Sequence, residues 1–225
     1  MEKIDSDSSA GAIHNEQVLI SQGGLGLSGD LCVPLKAKSI IIFAHGSGSS
    51  RLSPRNRLVS SILNKYNFAT LLFDLLSEKE EKEDAITGEL RFNIDLLSQR
   101  LMAATDWALN ENKTKFLKPA YFGASTGAAA ALVCAAKKGA AIGALVSRGG
   151  RPDLAEKYLA KVKSPTLLIV GGNDTLVIKI NNEALGQINA EKELAIVKGA
   201  GHLFEEQGAL EEVAKLAAGW FRRHL

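Results

Sequence analysis

The stretch Pro119-Ala-Tyr-Phe-Gly123-Ala-Ser125-Thr-Gly127 limits what this chain can fold into more than any other. A short apolar run ends in a Gly-x-Ser-x-Gly turn, and the alanine-rich segment 128–136 that follows is a strong helix former. Strand, sharp turn and helix are therefore expected in that order. Glycines two positions either side of a serine remove the Cβ atoms that would collide across such a bend, so the turn can hold Ser125 Oγ out at the end of a sheet. The helix beginning there points its positive end at the serine and favours anionic charge that develops beside it.

The rest of the chain reads as a scaffold for that turn. Segments 40–44, 69–73 and 166–170 are continuous apolar runs of strand length, the pattern of strands covered on both faces in a parallel sheet. Segments 17–20 and 25–33, either side of Gly23-Gly24, read as an edge hairpin. Further strands are expected at 141–146 and 193–197, and helices at 54–65, 94–110, 178–188 and 205–223. The charged segment 77–91 reads as a solvated loop, with a short flap over a site entrance as the sharper alternative. Residues 1–15, polar and serine-rich, read as a frayed tail, which leaves 16–225 as a single α/β domain.

Charge and cysteine content exclude several functions. Twenty-seven Lys and Arg against 25 Asp and Glu leave +2, with the signs intermixed, so there is no electrostatic footprint for nucleic acid or an anionic membrane. Cys32 and Cys134 fall in apolar surroundings and are expected as buried free thiols. No metal-ligand spacing occurs, and no apolar stretch has the length of a membrane span or a signal peptide. A cytoplasmic protein acting on a small molecule, without metal or cofactor, is the expectation.

Three more loops bear on chemistry. In His45-Gly-Ser47-Gly-Ser-Ser-Arg51, small residues let the backbone approach a ligand, and the Ser47 N–H, with that of Thr126, is expected to form a two-donor oxyanion hole. His45, at the strand end, reads as structural. Asp174 follows a strand and two glycines, a setting from which a carboxylate reaches a histidine on a neighbouring loop and fixes its tautomer; unlike Asp74, Asp95 and Asp153, it combines a strand-end setting with a position between Ser125 and the last loop histidine. His202, in Gly199-Ala-Gly-His202, is offered on a small-residue loop and suits a general base, since imidazole ordinarily titrates near neutrality. Arg148, and less directly Arg51, are candidates for holding a substrate carboxylate.

The order serine, aspartate, histidine, each between a strand and a helix, is that of the α/β-hydrolase scheme. His45-Gly-Ser-Gly48, Gly123-Ala-Ser-Thr-Gly127, Gly172-Asn-Asp174 and Gly199-Ala-Gly-His202 resemble the motifs of the dienelactone hydrolase family, from about residue 17 to the end of the chain. The resemblance implies an eight-stranded, mostly parallel sheet with its second strand antiparallel, helices on both faces and no large lid domain. It also implies Ser125 as nucleophile, His202 as base and Asp174 as acid, with serine standing where the family's dienelactone hydrolases carry cysteine. The expected activity is cleavage of an ester, lactone or thioester through an acyl-enzyme. A peptidase, a thioesterase, a cofactor-free haloperoxidase and a non-catalytic binding protein on the same fold are the alternatives.

Overall fold

The computed structural model describes residues 13–225, and the tail expected at 1–15 lies outside these except at its end. The first strand, β1 (Ile13–Gln22), takes in residues 13–15 and pairs along its length with β2 (Leu25–Pro34), so His14 is a strand residue. The chain continues through β3 (Ser39–Ala44), α1 (Pro54–Lys65), β4 (Ala69–Phe73), α2 (Glu78–Thr87), α3 (Ile94–Asn110), β5 (Lys118–Ala124) and α4 (Thr126–Lys138). Then come β6 (Leu145–Arg148), α5 (Glu156–Leu159), β7 (Thr166–Gly171), α6 (Thr175–Gln187), β8 (Lys192–Val197) and α7 (Ala209–His224).

The eight strands lie in the order β1-β2-β4-β3-β5-β6-β7-β8. Strand β2 runs antiparallel to both its neighbours, and β4 through β8 are parallel. Every residue of β3, β4 and β7 is buried, as continuous apolar runs require when helices cover both faces. Side-chain alternation sends Ile40 and Ile42 toward α3 and α4 on one face, and Ile41 and Phe43 toward α1 and α7 on the other. From β3 the connection crosses to β4 on one side, and β5 then pairs with β3 on its other side. Ligands in open α/β sheets bind at this kind of reversal, so the loops after β3 and β5 meet where a site is expected.

Two elements depart from the sequence expectation. Segment 77–91 is mainly a helix. Ser77 accepts from the Glu80 N–H while Glu80 reaches back to the Ser77 N–H, a reciprocal cap, and Glu78, Glu80 and Glu81 in the first turn suit the positive helix end. Strand β6 begins at Leu145 rather than at residue 141, because Gly139, with φ of 58°, turns the chain out of α4 through a short 3-10 turn over Gly139–Ala141. Ser147 and Arg148 consequently end a strand instead of opening a loop. Cys32 and Cys134 are free, the first half-buried and the second buried.

Candidate active site

Ser125 stands between β5 and α4 with φ of 51° and ψ of −119°, a conformation that costs a non-glycine residue about 1–3 kcal/mol. Packing on both sides holds it there. A Cβ at Gly123 would lie 2.5 Å from the Ala128 Cα, and one at Gly127 would lie 2.2 Å from the Ala44 carbonyl oxygen, so both flanking glycines are sterically required. The Ser125 N–H donates to the Arg148 carbonyl at 3.1 Å and its carbonyl accepts from the Arg151 N–H at 3.2 Å, which fastens the turn to the end of β6.

The loops carrying Asp174 and His202 are joined strand by strand. Asn173 donates through its backbone to the Ala200 carbonyl and through its side chain to the Gly199 carbonyl, at 2.9 and 2.8 Å. Gly171 lets them touch: a Cβ there would lie 2.4 Å from the Gly201 carbonyl oxygen. Asp174 opens α6, with Oδ1 accepting from the Val177 N–H, while Oδ2 lies 2.6 Å from His202 Nδ1. The aspartate is thus fixed by the helix it caps and in turn fixes the imidazole. The ring packs over Gly149, whose Cβ position lies 3.6 Å from His202 Cε1, immediately beside the Arg148 carbonyl that holds Ser125. Among the described residues Ser125 Oγ makes no hydrogen bond, and catalytic hydrogen bonds are often absent or loose until substrate is bound.

The loop after β3 completes the arrangement. A Cβ on Gly46 would lie 3.1 Å from Ser125 Cβ, so this backbone lies directly against the serine. His45 holds the loop in place: its Nδ1–H donates to the Gly46 carbonyl and its Nε2 accepts from the Leu75 N–H, both at 3.0 Å. It is a buried strut, as the sequence suggests. Burial pushes its imidazole below the ordinary value of about 6.5, so as pH falls through that value the unfolded chain takes up a proton that the folded state refuses. Stability present above about 6.5 is therefore lost below it. The expected result is that His45→Gln, which keeps an acceptor for Leu75, shows a smaller drop in Tm between pH 7 and pH 5.5 than the parent chain.

A cavity of about 300 Å³ opens beside the serine, lined by Gly46, Ser47, Thr126, Leu75, Leu97 and Arg91 among others. Ser47 and Thr126 thus face a common space. The cavity's cation is Arg91, a residue the sequence does not single out. Its Nε donates to Asp84 Oδ2 at 2.6 Å and its Nη2 to the Asp84 carbonyl at 2.5 Å, while Nη1 turns toward Gly48 in the β3 loop. Burial alone would raise the Asp84 carboxyl, but the N–H groups of Arg91 and Leu90 and the guanidinium bring it below the ordinary range.

Neither arginine expected to meet a substrate carboxylate takes that place. Arg51 donates from its backbone to Asp74 Oδ1 at 2.7 Å, pairs through Nη1 with Asp74 Oδ2 and lies 3.8 Å from Asp30, so its charge is spent inside the protein. Arg148 is buried on the α1 and α7 side of the sheet, over the Phe204 ring at 6.0 Å, away from the cavity. Burial, with the Arg55 charge adding, pushes its guanidinium down to about 10. Phe204 itself, two residues past His202, is buried with φ of 56°. Of the three non-glycine residues with positive φ among the described residues, Ser125 and Phe204 both border this site. No cluster that could hold a metal ion, and no helix long and apolar enough to cross a membrane, occurs among the described residues.

A model of the dienelactone hydrolase family matches residues 29–224. The crystal structure of a dienelactone hydrolase from Anabaena variabilis superposes with a TM-score of 0.93 at 52% identity, covering 95% of this chain and 99% of that one. Two Mycobacterium tuberculosis proteins, from strains CDC 1551 and H37Rv, provisionally named phosphoribosyl transferases, are 50% identical over 213 residues. That match takes in 95% of this chain and 47% of theirs, so the chain spans about half the length of the curated relatives it matches. Est1E from Butyrivibrio proteoclasticus, 16% identical with a TM-score of 0.78 over 92% of this chain and 98% of that one, shares the fold. The fold is that of the α/β hydrolases, and residues Glu81, Asp84 and Ala85 of the ten-residue α2 form part of the cavity wall.

Proposed function

The chain belongs to the dienelactone hydrolase family, and we propose that within it this protein is a serine hydrolase that cleaves a carboxylic ester, lactone or thioester through a Ser125 acyl-enzyme. The observation that carries this reading is the 2.6 Å bond between Asp174 and His202 on two interlocked loops, beside a serine in a strained, glycine-flanked turn. Asp174 holds His202 with its Nε2 edge free to take the Ser125 proton as Oγ attacks the carbonyl carbon. The N–H groups of Ser47 and Thr126 receive the negative charge that moves onto the carbonyl oxygen. Collapse expels the leaving group, which takes the proton from His202, and water activated by the same imidazole releases the acyl group.

A fluorophosphonate probe tests this directly, because an unactivated serine does not react with it. Covalent labelling mapped to the peptide carrying Ser125, and slowed at least about a hundredfold in Asp174→Asn, is the expected result. An unlabelled protein, or labelling elsewhere, sinks the proposal and favours a binding protein on this fold. The transferase name of the mycobacterial relatives attaches to chains about twice as long and can describe the half this chain does not match.

The cavity suggests what the substrate carries. Leucines 75, 76 and 97 offer apolar walls, and the Arg91 guanidinium, its Nε and Nη2 held by Asp84, offers its Nη1 edge to a polar substituent. Arg91→Lys keeps the charge near Asp84 and removes the planar guanidinium that can hold Asp84 and a substrate group at once. The expected result is a KM for carboxylate-bearing esters raised about tenfold, with neutral esters of the same length unaffected, measured in steady-state kinetics.

A further inference from the structure

Thr126, the residue after the candidate nucleophile, is 2% exposed, and its Oγ1 has no hydrogen-bond partner. A threonine at the start of a helix has two usual outlets. Its oxygen accepts an N–H of the first turn, or its hydroxyl donates back to an earlier carbonyl. Thr126 uses neither. The Ala128 N–H within reach of a capping oxygen is bonded to the Ser125 carbonyl instead. A dry, unmet hydroxyl destabilises a fold, whereas valine would fill the same volume without that penalty.

The position of this hydroxyl gives it a use. Thr126 lines the same cavity as Gly46 and Ser47, on the side where Gly46 lies against Ser125. Its backbone N–H, as the first of α4, has no acceptor within the helix. An oxyanion formed at Ser125 carries three lone pairs, and two N–H donors leave one unmet. We propose that Thr126 Oγ1–H, after rotation about its χ1 bond, donates the third hydrogen bond to that oxyanion. The inference rests on the acyl-enzyme reading above and adds a catalytic side chain to it.

The balance of the step is simple. The Ser125 Oγ–carbon bond forms, the carbonyl π pair moves onto oxygen, and the serine proton passes to His202 Nε2. The Thr126 proton stays on Thr126, which contributes a hydrogen bond and transfers nothing. When the carbonyl re-forms, the bond to the leaving group breaks and that group takes the His202 proton. Because the third bond is made to charge present only in the tetrahedral species, its loss should appear in kcat and leave KM alone.

Thr126→Val and Thr126→Ser, assayed with an ester the parent protein hydrolyses, test the proposal. The expected result for the valine variant is a kcat lowered about a hundredfold, KM within about twofold of the parent, and a Tm equal to or above it. Serine restores kcat to within about fivefold, and the inhibition constant of a boronic acid, whose oxygen occupies the oxyanion position, rises in step with the loss in the valine variant. Full kcat in Thr126→Val, a loss that serine does not restore, or a loss explained by a lowered Tm overturns the inference. Those outcomes leave labelling of Ser125 by the fluorophosphonate intact in the parent protein. Absence of that labelling, together with absence of turnover, overturns the acyl-enzyme reading and this inference together.

Discussion

Ser125→Ala is expected to lower kcat/KM toward a p-nitrophenyl ester by at least about a thousandfold while the protein stays folded, because the nucleophile is the one group that its neighbours cannot replace. The residual rate reports what the oxyanion donors and binding contribute without it. Folding is expected to survive because Ser125 Oγ caps no helix and makes no hydrogen bond among the described residues, so truncation leaves no orphaned partner. Ser125→Gly separates the two roles of this position. It removes the same oxygen and also relieves the positive-φ conformation, so it should be equally inactive and more stable by up to about 1–2 kcal/mol, read from denaturant midpoints. A variant that keeps more than about a tenth of parental turnover would show that the reacting group lies elsewhere.

The parts of this molecule that the sequence reveals are those fixed by local chemistry. Strands β3, β4 and β7 announce themselves as apolar runs, and the turns ending in Ser125, Asp174 and His202 announce themselves through glycines; at Gly123, Gly127 and Gly171 the Cβ position is occupied by neighbouring backbone, whereas Gly199 is required by its φ of 78°. The helix α2 was also written locally, in Ser77-x-x-Glu80, but it carries no apolar face, Asp84 being its one buried residue, and without that periodicity the charged run favours a loop reading. Side-chain partners are another matter. Arg51 and Arg91 each pair with an aspartate, yet Arg51 is turned to Asp74 and Asp30 and only Arg91 lines the cavity beside Ser47 and Thr126. Which is which depends on where Asp74 and Asp84 sit, 23 residues after Arg51 and 7 before Arg91, and that is a tertiary fact. Arg148 shows the same limit: placing it in a loop rather than on the last residue of β6 reverses whether it can meet a ligand.

The backbone contact beneath Ser125 leads to an expectation about stability as large as the one about rate. Gly127→Ala would set a methyl group 2.2 Å from the Ala44 carbonyl oxygen and 2.4 Å from that of His45. Those atoms belong to the end of β3, a strand hydrogen-bonded on both sides in the middle of the sheet, so they cannot retreat as a flexible side chain would. Helix α4 must move instead, against a face where residues 126–135 are all buried. Overpacking of an ordinary core costs about 1–3 kcal/mol, and a clash with fixed backbone costs more, against a total stability of about 5–15 kcal/mol. Little soluble, cooperatively unfolding protein is therefore expected from Gly127→Ala. Gly219→Ala is the opposite case: it lies inside α7 with nothing within 4 Å of its Cβ position, and alanine there should stabilise by about 0.5–1 kcal/mol. If the two alanine variants unfold at the same denaturant concentration, the close approach of α4 to the end of β3, on which the presentation of Ser125 depends, is wrong. If they separate as expected, the glycine after the serine serves primarily to let the helix and the strand meet, and the strained serine follows from that meeting.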